Sequence, residues 1–101
     1  MFNLVIDLEM CKVPRDYRSN SYKYATETIQ IGAVLLDDSF KRIGTLCQYV
    51  HPEHGVIDYF IENLTGIKNS QVKNAPKLEE VLLHMIDWLG ERDYKIYAWS
   101  E

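Results

Sequence analysis

The sequence predicts an α/β domain: a mixed sheet with an antiparallel hairpin at one edge, a parallel strand, and helices packed on it. Three observations support this. The chain opens on an apolar strand, two further strand-like segments flank a short turn, and helical periodicity precedes a last strand. The 101 residues suffice for one domain, and an apolar content of 47% is enough for a packed core.

Residues 3–10 predict the first strand. Both of its faces are apolar except at Asp7 and Glu9, which is typical of a central strand covered on both sides. Residues 12–26, KVPRDYRSNSYKYAT, are polar and contain Pro14, so they indicate a mobile loop.

The next two strands are predicted to form a hairpin. They cover Thr28–Leu36 and Arg42–His51, and Pro52 ends the second of them. The turn between them contains Asp37, Asp38 and Ser39, which are common turn residues. Alternate residues of the earlier strand should lie on one face: Ile29, Ile31, Ala33 and Leu35.

Helical signals follow. Asp58 is a candidate N-cap for a short helix that ends near Gly66, and Asn69-Ser70 could cap another turn. Pro76 suits the first position of a longer helix, and Gly90 would end it. One stripe of this longer helix is apolar and is expected to be core: Leu78, Val81, Leu82, Met85 and Leu89.

Residues Tyr94–Trp99, YKIYAW, predict the fourth strand. The long helical connection that precedes this strand favours a right-handed crossover. We therefore expect the fourth strand to run parallel to the first.

Bulk properties narrow the function classes. The formal net charge of −4 gives no electrostatic footprint for nucleic acid, but it does not argue against an enzyme whose substrate charge is met by metal ions. No apolar stretch approaches the ~20 residues needed to cross a membrane, and no secretory signal is visible. The expectation is a soluble cytoplasmic protein in which Cys11 and Cys47 are reduced and buried.

Asp7 and Glu9 are the candidate functional pair. Side chains alternate along a strand, so both should point to one face, with α-carbons about 6–7 Å apart. Two carboxylates on a half-buried face repel each other and need compensation. Basic partners, a solvent-exposed edge strand or a divalent cation would each provide it, and hard oxygen ligands suit Mg²⁺ or Mn²⁺.

Four segments in order resemble the DnaQ-like (DEDD) 3′–5′ exonucleases, which have a ribonuclease H-like fold. VIDLEMC resembles the first exonuclease motif, and ETIQIGAVLLD resembles the second strand of the family. NLTGI resembles the L-T-G-I turn, and YAWSE resembles the start of the second exonuclease motif. The RNase T-like, KapD-like branch is the most similar. The resemblance extends over essentially the whole chain.

The resemblance implies a mechanism. Asp7 and Glu9 would be catalytic and would bind two divalent ions, Mg²⁺ or Mn²⁺, at the terminal phosphodiester of single-stranded DNA or RNA. Met10 would lie against the terminal nucleotide. Leu64, Thr65 and Ile67 would line the pocket for its base or sugar, although a helix end with Ile67 in the core remains the alternative.

The resemblance also implies that the catalytic set is incomplete. The third acid is expected about two residues beyond Glu101, and the general-base histidine and fourth acid later still; Glu101 itself does not match. His51, His54 and His84 precede the second motif and do not fit the base role. We therefore expect 1–101 to be the amino-terminal part of a ribonuclease H-like domain, truncated after the fourth strand. Such a part should be nearly inactive alone and could form a homodimer.

Two other function classes stay open at this point. The chain could be a non-catalytic module of ribonuclease H-like fold that binds nucleic acid or protein. It could also be a small interaction or structural domain whose acids are merely solvated. The loop at 12–26 carries Arg15, Arg18 and Lys23 among tyrosines, which suits contact with a nucleic-acid strand but also suits a solvated loop.

Overall fold

The computed structural model describes residues 1–99, apart from the side chain of Trp99. Ser100 and Glu101, which end the YAWSE segment, lie outside the described residues. The elements follow one another as the strands β1 (Phe2–Lys12), β2 (Thr26–Leu36) and β3 (Arg42–Tyr49), the helices α1 (Tyr59–Thr65), α2 (Asn69–Val72) and α3 (Leu78–Leu89), and the strand β4 (Tyr94–Trp99).

The strands form one mixed sheet in the order β3-β2-β1-β4. β2 pairs antiparallel with both β1 and β3, and β4 pairs parallel with β1. This confirms the hairpin at one edge, the central first strand and the parallel fourth strand. The ribonuclease H-like fold class is thereby confirmed for the part of the chain that the structure describes.

One face of the sheet carries the core. The four alternate apolar residues of β2 are all buried, as their spacing predicts: Ile29, Ile31, Ala33 and Leu35. Two clusters of buried residues lie along this face. One contains Leu4, Ile31, Ala33, Leu35, Val50, Val81, Met85 and Leu89. The other contains Cys11, Ile29, Ile57, Ile61, Ile67 and Val72.

The strand β1 changes its alternation in the middle. Leu4 and Cys11 are both buried, although they are seven positions apart and a regular strand would place them on opposite faces. The register with β2 shifts between Glu9 and Met10, which accounts for the change. A bulge of this kind redirects the side chains that follow it.

The helix ends follow from local chemistry. The Asp58 side chain accepts a hydrogen bond from the Ile61 backbone N–H at 2.9 Å, and Gly66 ends α1 with a φ of 76°. Both predictions for α1 are therefore confirmed. Asn69 lies inside α2 rather than before it, and its side chain donates to the Ile57 carbonyl.

The start of α3 differs from the prediction. The helix begins at Leu78, after Lys77 at the N-cap, so Pro76 lies two residues before it. The Pro76 carbonyl instead accepts a hydrogen bond from the His51 backbone N–H, which joins this segment to the end of β3. Within the apolar stripe Val81, Met85 and Leu89 are buried, whereas Leu78 and Leu82 remain 38% and 39% exposed.

Residues 12–26 contain a 3₁₀ turn at Arg15–Tyr17 and hydrogen bonds between the backbones of Ser19 and Tyr22, and the mobility of this loop stays a prediction. The expectation that both thiols are buried needs correction. Of the two thiols, Cys11 is buried but Cys47 is exposed, because it lies on the face of β3 that no helix covers among residues 1–99. None of the described helices is long and apolar enough to cross a membrane.

Candidate functional site

The two acids lie side by side on β1. Asp7 is exposed and Glu9 is half-buried. Asp7 pairs in register with Gly32 of β2, and Glu9 pairs with Gln30. On the other side, Asp7 pairs with Trp99, near the end of β4. The site therefore lies where the central strand meets the end of its parallel neighbour.

The exposure of Asp7 corrects one premise of the sequence interpretation, which assumed a half-buried pair. The core helices pack against the face of β1 that carries Leu4, and Asp7 lies on the opposite face. Solvent therefore reaches the Asp7 carboxylate, so there is no desolvation cost that a cation would have to compensate. The argument for a cation then depends on the donor chemistry and its surroundings.

Gly32 leaves space beside Asp7. Directly paired residues point to the same face of a sheet, so a side chain at position 32 would stand next to the Asp7 carboxylate. Glycine has none, and a β-carbon built there would have the Asp7 carbonyl, 3.7 Å away, as its neighbour. Among residues 1–99, no lysine, arginine or histidine lies within ion-pair distance of Asp7.

The donor set fits a hard divalent cation. Two carboxylates that follow one another at a spacing of two on a strand offer the oxygen ligands that Mg²⁺ and Mn²⁺ prefer. Residues 1–99 contain no group of three acids, histidines or cysteines close enough to hold a metal ion. Asp7 and Glu9 could thus supply part of a metal site, to which further ligands must be added.

The residues predicted to contact the terminal nucleotide lie on β1 and at the end of α1, and they differ in exposure. Leu64 is 68% exposed and Met10 is 38% exposed, so both are accessible. The Thr65 hydroxyl donates to the Ile61 carbonyl at 2.8 Å and accepts from the Ile67 backbone N–H at 3.1 Å. Ile67 is only 3% exposed, which favours the core alternative over a place in a nucleotide pocket.

The histidines are occupied elsewhere or lie apart. The Val72 carbonyl accepts a hydrogen bond from Nδ1 of the His51 ring at 2.9 Å. The His54 ring stacks on Tyr22 with 4.4 Å between ring centroids. His84 is exposed on α3. None of the three is placed on β1 or β2 beside the acids.

Glu27 organises the loop behind the site, and sequence reasoning gave it no role. Its carboxylate is buried and accepts hydrogen bonds of 2.6–2.8 Å from the backbone N–H groups of Glu53, His54 and Gly55. A signal existed, because Glu27 continues the alternation of Ile29 and the later buried residues of β2. An acid in such a series implies a buried carboxylate with several partners.

The same loop packs closely on β1. A β-carbon at Gly55 would come within 2.5 Å of the Cys11 sulfur and 2.8 Å of the Lys12 carbonyl, so no side chain fits there. The Val56 backbone N–H donates to the Lys12 carbonyl at 2.9 Å. Burial, followed by the charge of Glu27, raises the pKa of the Cys11 thiol to about 11. These contacts connect the end of β1 to the segment that leads into α1.

Known proteins are similar to this chain in sequence and in fold. The exonuclease family model of RNase T type matches residues 4–97. ERI1 exoribonuclease 2 of Homo sapiens is 33% identical over 88 residues, which are 85% of this chain and 12% of that protein.

Two solved structures share the architecture at 25–26% identity. The nuclease domain of 3′hExo, a DEDDh family member with rAMP bound, gives a TM-score of 0.76 over 96% of this chain and 50% of that one. A 3′-exonuclease that recognises the 3′ end of histone mRNA stem-loop gives a TM-score of 0.78 over 98% of this chain and 36% of that one. The chain thus spans half or less of the length of each of these three proteins. Since the family model covers nearly all of its length, the chain belongs to the RNase T family of exonucleases.

Proposed function

We propose that this chain supplies Asp7 and Glu9 to the metal site of a 3′–5′ exonuclease, which hydrolyses the terminal phosphodiester of single-stranded DNA or RNA. The observation that carries the proposal is the position of the two acids. They lie on one strand of an exonuclease-family sheet, with Gly32 leaving the space beside Asp7 open. The similarity to 3′ exonucleases supports the direction of cleavage.

Asp7 and Glu9 would hold two divalent ions, Mg²⁺ or Mn²⁺, together with ligands outside residues 1–99. Bound there, such ions lower the pKa of the attacking water and stabilise the charge on the leaving 3′ oxygen. The protein side chains fix the geometry of the scissile phosphate, because both acids project from the same rigid central strand.

The terminal nucleotide would lie against accessible residues of β1 and α1. Met10 follows Glu9 on β1, and Leu64 and Thr65 form the last turn of α1. Thr65 is held by two hydrogen bonds at the helix end, so its position is well defined. Ile67 is not included, because its burial removes it from contact with a substrate.

We also propose that residues 1–101 form the amino-terminal part of a larger exonuclease domain. An exposed apolar surface on the helix side of β4 and α3 supports this, since Ile96 is 58% and Ile86 is 60% exposed. Further polypeptide would cover this surface and add the remaining ligands and the general base. The isolated chain is then expected to have little or no nuclease activity.

Mn²⁺ binding tests the metal site without requiring activity. The wild-type chain should bind Mn²⁺, as followed by electron paramagnetic resonance, and the Asp7→Asn/Glu9→Gln double variant should bind it at least about tenfold more weakly. The matched control is Glu79→Gln/Glu80→Gln, which makes the same change in charge at two adjacent exposed acids of α3. Equal affinity in the wild type and the Asp7/Glu9 variant would remove the basis for the exonuclease proposal. It would leave a binding module of the same fold.

A further inference from the structure

Lys12 and Phe60 form a contact that neither the metal site nor the core explains. The Lys12 Nζ lies 4.5 Å from the centroid of the Phe60 ring, which is a favourable cation–π distance. Phe60 is nevertheless 59% exposed, and Lys12 is exposed as well. A large aromatic side chain with a cation above it is therefore presented to solvent.

This pair lies further along β1 than the two acids. Lys12 follows Glu9 by three residues on β1, which is about 10 Å along a strand. Cys11 is buried, so its neighbours on the strand, Met10 and Lys12, both point away from the core. The bond from the Val56 N–H to the Lys12 carbonyl fixes the backbone here.

The helix α1 connects the pair with the proposed nucleotide site. Phe60 and Leu64 are four residues apart, so they lie on the same face of the helix, and both are exposed. Leu64 belongs to the turn proposed to contact the terminal nucleotide. One exposed stripe thus runs from that turn to Phe60 and Lys12.

The charges favour an anionic partner at the Lys12 end of the stripe. The ion pairs seen within residues 1–99 join the amino terminus with Asp38 and Lys77 with Glu53, so neither involves Lys12. A second cation is fixed nearby, because the Arg18 Nε donates to the Val13 carbonyl at 3.0 Å. Aromatic rings beside cations are the groups that bind single-stranded nucleic acid, through base stacking and phosphate contacts.

We infer that Lys12, held over the ring of Phe60, contacts the phosphate on the 5′ side of the penultimate nucleotide of a single-stranded nucleic acid, while Phe60 lies against that nucleotide's base. The inference rests on the proposed function, since it takes the terminal nucleotide to lie at Leu64 and the acids. It adds a second nucleotide position. A substrate two or more nucleotides long would gain affinity there, whereas a mononucleotide would not.

Oligonucleotide binding tests the inference. Affinity for a fluorescent single-stranded trinucleotide, with Ca²⁺ as a non-catalytic divalent ion, is measured by anisotropy between 50 mM and 200 mM salt. Lys12→Gln should weaken binding roughly fivefold at low salt and reduce the slope of log affinity against log salt by about 0.7, the value for one single-strand phosphate contact. Lys41→Gln is the matched control and should change neither quantity, because Lys41 lies in the turn between β2 and β3.

Two further measurements separate the possible outcomes. Affinity for a nucleoside 5′-monophosphate should be unchanged in Lys12→Gln and in Phe60→Leu, while Phe60→Leu should weaken trinucleotide binding. An unchanged salt slope in Lys12→Gln, an equal loss for the monophosphate, or no trinucleotide binding by the wild type would each overturn the inference. The Mn²⁺ experiment on Asp7 and Glu9 is independent of all three, so failure of the metal site and failure of the second nucleotide position can be told apart.

Discussion

Glu27 determines the path of a loop that is 26–28 residues away in the sequence. Three backbone N–H groups of that loop donate to its buried carboxylate. Hydrogen bonds to a charged acceptor are stronger than neutral ones, and buried donors that lose their acceptor are costly. The loop in turn packs on Cys11 and Lys12 through Gly55.

We expect Glu27→Gln to lower the free energy of unfolding by about 2–3 kcal/mol. The amide has only one acceptor oxygen, and its NH2 group would face at least one of the backbone N–H donors that the carboxylate now accepts. Urea denaturation measures the change. Glu79→Gln is the control, since Glu79 is exposed, and it should change stability by less than about 0.5 kcal/mol. A loss in Glu27→Gln no larger than that of the control would contradict the role assigned to the carboxylate.

Cys11 should make stability depend on alkaline pH. Burial raises the pKa of its thiol from 9.0 to about 11 in the folded chain. The folded state therefore keeps the proton at pH values where the unfolded state has lost it, and stability falls as pH rises from about 9 to 11. The full loss of stability corresponds to roughly 2–3 kcal/mol.

The measurement compares urea denaturation of the wild type and Cys11→Ala from pH 7 to pH 10.5, with Cys47→Ala as the exposed-thiol control. Parallel curves for wild type and Cys11→Ala would contradict it.

At the scale of elements, local signals predicted what local chemistry determines. The alternation of β2, the Asp58 cap and the end of α1 at Gly66 depend on residues close together in sequence, and all three predictions are confirmed. Asp7 and Glu9 were identified for the same reason, because their placement on one face needs only the geometry of a strand. The family resemblance supplied their chemistry.

The features that sequence reasoning missed depend on distant contacts. The bulge after Glu9 arises from pairing with β2, and it decides that Cys11 rather than Met10 enters the core. The Lys12–Phe60 contact joins residues 48 positions apart. Ile67 could not be assigned to pocket or core from an L-T-G-I segment alone, since the packing of α1 against β1 and β2 decides its burial.

At the scale of the whole molecule, the two faces of the sheet differ in what covers them. The acids and Gly32 occupy the face opposite the core helices, close to the end of β4. On the other face α3 packs over β1 near Leu4, but it does not extend over β4. Ile96, which pairs in register with the buried Leu4, is still 58% exposed. On the same side of the sheet, a cavity of about 260 Å³ opens between β1, β2 and α3. Its lining is Ile6, Leu8, Thr28, Ile31, Leu78, Leu82 and Met85.

The isolated chain should self-associate through this apolar surface. Ile86 and Ile96 are both more than half exposed, and β4 is the outermost strand of the sheet on that side. Exposed apolar patches and open strand edges favour pairing between chains. We expect sedimentation of the wild type to show a dimer whose fraction rises with concentration, and Ile86→Lys/Ile96→Lys to shift it toward monomer.

The control is Phe40→Lys/Ile43→Lys, which adds the same charges at two exposed apolar residues near the turn between β2 and β3, on the opposite edge of the sheet. It should leave the dimer fraction unchanged. If the wild type stays monomeric at high concentration, the exposed apolar surface does not drive dimerisation. If the control dissociates the dimer equally, the contact lies elsewhere. Either outcome would also weaken the proposal that further polypeptide covers α3 and β4, because both rest on the same apolar surface.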